Sequence, residues 1–137
     1  MKHYDLLIAG GGLAGLSLAR QMKTMSPELS VAVVEKKQFP RPRAIAKVGE
    51  STVEIGSHYL AKHVGLAEHL KQNHLKKFGL RIFFGEAADD FSEQDELGAS
   101  QTFGIPTYQI DRGDIENHLA DLLQKVVSAV IVESVFI

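Results

Sequence analysis

Gly10, Gly12 and Gly15 occupy the three fixed positions of G-x-G-x-x-G within Ile8-Ala9-Gly10-Gly11-Gly12-Leu13-Ala14-Gly15. In such a turn one glycine permits the sharp bend and another lets the backbone approach a pyrophosphate. The third lets the next helix pack closely on the strand. The first N–H groups of that helix, those of Leu13 and Ala14 among them, add unpaired donors and the positive end of a dipole. Glu35 stands twenty residues beyond Gly15. An acid at that spacing can accept hydrogen bonds from both hydroxyls of an adenosine ribose, and it would repel the 2′-phosphate of NADP. A plain glycine turn uses the same glycines; the added acid favours a nucleotide site.

Further residues with chemical potential follow. Lys36, Lys37, Arg41, Arg43 and Lys47 place five cations within a dozen residues around Phe39-Pro40-Arg41-Pro42-Arg43. Lys36 and Lys37 read as a solvated loop. Arg41 and Arg43 are either part of the same surface or, on a proline-stiffened loop, guanidinium partners for a pyrophosphate. In Val48-Gly49-Glu50-Ser51-Thr52-Val53-Glu54, Ser51 and Glu54 have the S-x-x-E spacing of a capping box. A cap accounts for Ser51 and Glu54 and leaves Gly49 and Glu50 unexplained.

The elements that must position these residues can be read in order. Asp5 to Ala9 is apolar without alternation, as in a buried parallel strand, and a helix runs from about Leu13 to Ser26-Pro27. Val31-Ala32-Val33-Val34-Glu35 is a second strand, completing a βαβ unit. The helix after Ser51 should bury Val53, Ile55, Tyr59, Leu60 and Val64 and end at Gly65. Leu66 to about His74 is a short amphipathic helix, and Lys77 to Phe84 is a strand expected to pair with Thr107-Tyr108-Gln109-Ile110. Between them Glu86 to Glu96 carries six acids and no base, a solvated acidic loop without EF-hand spacing. Asp111-Arg112-Gly113-Asp114 caps a helix with the stripe Ile115, Leu119, Leu122, Leu123 and Val126, and Ala129 to Ile137 begins another strand. Such a strand with no following element suggests a fragment of something longer.

Composition excludes several classes. With 137 residues and 45% hydrophobic content the chain can bury one core, and a net charge of −2 gives no reason to expect nucleic acid. The absence of cysteine excludes disulfides and thiolate chemistry. The N-terminus lacks a signal peptide pattern and no apolar run suits a membrane span, so the expected compartment is the cytoplasm. His3, His58, His63, His69, His74 and His118 are scattered, and the five-residue spacings do not place two ligands on one helical face; they read as surface residues, with no metal site expected.

Taken together, these motifs resemble the FAD-dependent monooxygenase superfamily, specifically the N-terminal part of its flavin-dependent, tryptophan halogenase-like branch. Gly10-Gly11-Gly12-Leu13-Ala14-Gly15 with Ala19 and Glu35 resembles the FAD-binding βαβ unit. Phe39-Pro40-Arg41 leading to Gly49-Glu50-Ser51 resembles a strap against the flavin, and Tyr108-Gln109-Ile110-Asp111-Arg112 the segment whose arginine contacts FAD. Lys77-Phe78-Gly79-Leu80-Arg81-Ile82-Phe83 resembles the K-x-G-x-x-F segment whose lysine handles the oxidised halide; Lys77 is otherwise a surface lysine beside Lys76. Glu54 stands where many halogenases carry proline, and neither the W-x-W-x-I-P signature nor the downstream G-D segment occurs.

The resemblance implies an α/β class: an incomplete Rossmann-like FAD/NAD(P)-binding domain from residues 1–78 and 107–137, with residues 79–106 beginning a β-rich substrate region. It implies FAD as cofactor and NAD(P)H as its transient reductant. It also implies a small-molecule substrate, free or carrier-bound, and either a flavin reductase or a C-terminal companion segment. Gly10, Gly12, Leu13, Ala14, Gly15, Glu35, Arg41, Arg43, Gly49, Glu50, Ser51 and Arg112 would hold the cofactor and Lys77 would be catalytic. A geranylgeranyl-reductase-like flavin reductase and a non-catalytic nucleotide-binding module are the alternatives.

Overall fold

The computed structural model of the chain describes residues 3–44, 46–85, 90–98, 101, 104–125 and 129–132. Val126, residues 86–89 of the acidic stretch and residues 133–137 of the last apolar run lie outside them. β1 (Leu6–Ala9), α1 (Leu13–Met25) and β2 (Val31–Glu35) form the expected βαβ unit, with β1 parallel to β2. β7 (Ala129–Val132) joins the other side of β2, also parallel, so the sheet order is β1-β2-β7. Val31, Ala32 and Val33 of this central strand are fully buried. On β1, by contrast, Ile8 is buried and Leu7 is 63% exposed. The uniform burial expected of β1 fails because β1 lies at the sheet edge and α1 covers only one of its faces.

α4 (Arg112–Gln124) packs against α1, burying Leu16 and Ala19 on one helix and Ile115, Leu119 and Leu123 on the other. The α4 stripe read from the sequence holds, with Leu122 at its margin. Asp111 is the N-cap: its carboxylate accepts from the N–H groups of Gly113 and Asp114 at 2.8 and 3.1 Å. α3 (Ala67–Asn73) completes the core through Leu70, with Leu66 just before it.

The region between β2 and α3 departs from expectation. Residues Glu50 to Thr52 are not a helix start but an extended strap against β6 (Thr107–Gln109). Thr52 N–H donates to Tyr108 O at 2.9 Å and Ile110 N–H to Glu50 O at 2.7 Å. α2 (Glu54–His58) begins after Val53 with no side-chain cap, so Ser51 and Glu54 form no capping box. Backbone pairing to β6 has claimed the segment that a cap would need in turn geometry. The helix continues as a π-helical stretch, Tyr59–His63, which ends before Gly65 at φ +80°. Leu60 and Val64 are buried and Tyr59 packs on the core, but Val53 and Ile55 face outward, Ile55 at 79% exposure.

The expected long strand at 77–84 is two strands. β3 (Leu75–Lys77) pairs antiparallel with β6, whereas β4 (Arg81–Phe84) pairs with β5 (Asp95–Gly98). Gly79, at φ +118°, turns the chain between them, so Leu80–Phe84 does not partner Thr107–Ile110. Asp95 and Glu96 thereby become strand residues, and Glu96 pairs with Arg81 across the hairpin. Among the described residues no helix is long and apolar enough to cross a membrane.

Candidate functional site

At the end of β1 the chain turns through Gly10 at φ +108°, held by Gly10 N–H donating to Val34 O at 2.8 Å. A Cβ on Gly15 would lie 1.9 Å from Gly10 O, so only glycine lets α1 begin this close to the turn. Gly12 is the N-cap of α1, without a side-chain cap and without an acid in the first turn. Its leading N–H groups are therefore free of local competition for an anion.

Glu35 is buried at the end of β2. Its carboxylate accepts from Gly11 N–H at 2.7 Å and Lys37 N–H at 2.8 Å, and pairs with Arg41 at 3.1 Å. Burial alone would raise its pKa; the hydrogen bonds from Lys37 and Gly11, with Arg41 beside it, hold it below the usual carboxylate range. The acid is thus ionised and tied to the glycine turn.

The strap approaches this turn from the opposite side. Gly49 takes φ +88°, and a Cβ there would lie 3.5 Å from Arg112 Nη1. Arg112, in the first turn of α4, donates from Nη1 to Val48 O at 3.2 Å. Its backbone N–H donates to Glu50 Oε1 at 3.2 Å. Between the first turns of α1, the strap, Tyr59 and Leu60 lies a cavity of about 540 Å³ lined by Leu13, Ala14, Gly49, Ser51 and Arg112. Five residues singled out from sequence thus meet around one space. Ser17, Thr52 and Val53 also line it and were missed. Ser17 Oγ is buried there without a hydrogen-bond partner. The only available signal for Ser17 was a polar residue on the otherwise apolar inner face of α1.

Lys77 lines a second cavity of about 200 Å³ with Glu54, Phe78 and Thr107. Its ammonium donates to Ser51 Oγ, which belongs to the lining of the first cavity. Arg41 and Arg43 sit differently. Arg41 is buried over the Phe39 ring, 4.4 Å from its centroid, with its charge directed to Glu35. Arg43 is 70% exposed and pairs with Asp114 at 2.7 Å. Neither lines the 540 Å³ cavity.

Two histidines expected at the surface are not there. His74 is buried and His69 largely so, and both face Asp114 Oδ2, at 3.8 and 2.9 Å. Burial lowers the pKa of both, as it does for His118, which stacks on His69 at 3.9 Å. The three potential ligand atoms of His69, His74 and Asp114 lie within 4.8 Å of one another. Asp111 N–H, however, donates to His74 Nδ1 at 3.2 Å. Asn73 Nδ2 lies 3.3 Å from His69 Nδ1 and is oriented by its bond to His69 O. Accepting at Nδ1 assigns the proton of each neutral ring to Nε2. The cluster suits a carboxylate facing two imidazole N–H groups; a metal would need both Nε2 atoms bare.

Comparison with known proteins decides the kinship. Residues 5–124 match the family model described as tryptophan halogenase. The chain belongs to the tryptophan halogenase family. It is 36% identical over 135 residues to the flavin-dependent halogenase chlA of Dictyostelium discoideum, covering 93% of this chain and 22% of that protein. The solved structure of the myxobacterial chondrochloren halogenase CndH superposes with a TM-score of 0.68 at 23% identity, covering 89% of this chain and 26% of the other. A variant of halogenase PltM solved in complex with FAD gives 0.65 at 19% identity, covering 90% and 26%. The geranylgeranyl bacteriochlorophyll reductase-like protein of Thermoplasma acidophilum gives 0.64 at 22%, covering 94% and 30%. The Rossmann-type fold is therefore shared with halogenases and a reductase-like protein. The chain spans about a fifth of the length of the chlA relative.

Proposed function

We propose that this chain builds the nucleotide-binding half of the FAD site of a flavin-dependent halogenase or monooxygenase. The observation that carries the proposal is a single cavity. The uncapped start of α1 faces it from one side and the Gly49–Ser51 strap with Arg112 from the other, and the unpartnered Ser17 hydroxyl is buried in its wall. A diphosphate needs convergent N–H donors and a cation. In this assignment Gly10 and Gly15 shape the turn, and Gly12, Leu13 and Ala14 present backbone donors. Glu35 takes the ribose hydroxyls, while Gly49, Glu50 and Ser51 line the flavin side and Arg112 meets negative charge. Arg41 acts through Glu35, whereas Arg43 pairs with Asp114 away from the cavity.

FAD, when bound, supplies the redox chemistry, drawing electrons from NAD(P)H directly or through a separate reductase. This chain's residues bind it, orient it and keep water from it. Lys77, which lines the second cavity and donates to Ser51 of the first, is assigned to hold the oxidised halide toward a small-molecule substrate. The compartment that fits this chemistry is the cytoplasm.

The test is direct. Purified chain should be yellow or should quench FAD fluorescence on titration; a colourless chain that neither releases flavin on denaturation nor binds added FAD ends the proposal. In a family member of full length carrying this segment, bromide-dependent product that disappears in Lys77→Ala supports halogenation. Halogenation that persists there removes Lys77 from the mechanism.

A further inference from the structure

A second carboxylate, with no part in the assignment above, also lies beside the glycine turn. Glu116 is 2% exposed, and a Cβ built on Gly12 would stand 3.9 Å from its Oε1 and 3.9 Å from Arg112 Nη2. A buried anion beside a turn suited to anions is unfavourable unless cations outnumber it. They do here. Oε1 accepts from Arg112 Nε at 2.9 Å and Nη2 at 2.6 Å, and Oε2 takes Lys47 at 3.2 Å with Arg41 Nε 3.9 Å away. Arg41 is shared with Glu35, so three cations face two carboxylates.

We infer that Glu116 is a positioning residue that aims Arg112, and with it Lys47, at the diphosphate of the bound nucleotide; this rests on the FAD reading above. The helix supplies the geometry, because residues four apart share a face. An unrestrained arginine samples many rotamers and loses that freedom on gripping a ligand. Glu116 takes two of the five guanidinium N–H groups and Val48 O a third, which leaves one N–H on each terminal nitrogen free beside Gly12 and Gly49. Absence of a side chain at those two glycines keeps that space open. The carboxylate thus spends its unfavourable charge on holding a guanidinium in place before the ligand arrives.

The sign of one mutation separates this role from simple charge. Removing a negative charge near an anionic ligand should tighten binding if Glu116 acts only through its field. If it positions Arg112, Glu116→Gln should weaken FAD binding by about tenfold, the loss typical of one charge-assisted hydrogen bond. ADP, which keeps the diphosphate and lacks the flavin ring, should weaken by the same factor. Glu116→Gln added to Arg112→Met should cost no more than Arg112→Met alone. Arg112→Lys leaves Glu116 intact and keeps the charge but loses the paired grip, so it should bind FAD as poorly as Arg112→Met; it serves as the test if Glu116→Gln does not fold by circular dichroism. Equal or tighter binding by Glu116→Gln, or near wild-type binding by Arg112→Lys, overturns the inference while the FAD reading stands. Failure of the wild-type chain to bind FAD or ADP removes the FAD reading itself.

Discussion

Asp114 and Glu116 are two buried acids two residues apart on α4, and they face opposite sides of the helix. Glu116 is surrounded by three basic side chains, those of Arg112, Lys47 and Arg41. Asp114 has one such partner, Arg43, and otherwise faces His69 and His74, which burial keeps neutral. The difference separates two tasks. Basic side chains beside the glycine turn hold Glu116 against the Arg112 guanidinium. Imidazoles beside α3 link helix packing to proton uptake and touch nothing in the cavity.

That comparison can be broken most severely at Gly113, which immediately precedes Asp114 on α4. A Cβ there would fall 2.0 Å from Pro42 O, on the loop carrying both Arg41 and Arg43. Gly113→Ala should therefore displace the loop, loosen both clusters and destabilise the chain by about 3 kcal/mol, read from urea unfolding. A variant of wild-type stability would show that the loop is not needed to hold either acid.

Asp114→Asn should cost about 1 kcal/mol, because Arg43 loses its partner and the His69 ring loses the carboxylate it faces at 2.9 Å. Its FAD affinity, measured by fluorescence quenching, should match the wild type; a matching loss of affinity would join the two clusters into one. Asp111→Ala removes the shared N-cap, and about 1 kcal/mol of stability should go with it. Thermal melting with and without FAD would show whether the frayed first turn also releases Arg112.

The smallest expected effect is the pH response. His69, His74 and His118 have folded-state pKa values below the ordinary 6.5, so the unfolded chain takes up protons that the folded chain refuses. Stability is then complete above about pH 6.5 and falls as pH drops from there through the folded-state values. Melting temperatures between pH 7.5 and pH 5.5 should decline less steeply in His69→Gln.

Much of the region around the glycine turn and α4 was legible because its signals are local. Gly10, Gly12 and Gly15 are constrained by backbone conformation and by atoms a few residues away, and Asp111 caps the helix that follows it. The apolar stripe of α4 reports directly on the face that α1 covers. Where a competing partner lay far along the chain, local reasoning failed. Ser51 had the spacing of a cap, but the strap is hydrogen-bonded to residues nearly sixty positions away. The strand after Lys77 had a plausible mate in Thr107–Ile110, yet Gly79 turned it toward Asp95–Gly98. A family resemblance could nominate Arg112, but no short pattern identified the Glu116 that grips it, and none brought His69 and His74 together on Asp114.

Sequence by itself determined the βαβ unit, the glycine turn with its acid, and kinship with the flavin-dependent halogenases. The first two depend on backbone freedom and short-range periodicity, the third on motifs that resemble the family's. Tertiary structure decided which charges meet: Arg41 turned inward to Glu35, Arg112 clamped by Glu116, and Lys77 set against Ser51. The physical reason is that ion pairs and desolvation depend on distances of a few ångströms between segments far apart in the chain, and no local pattern records them.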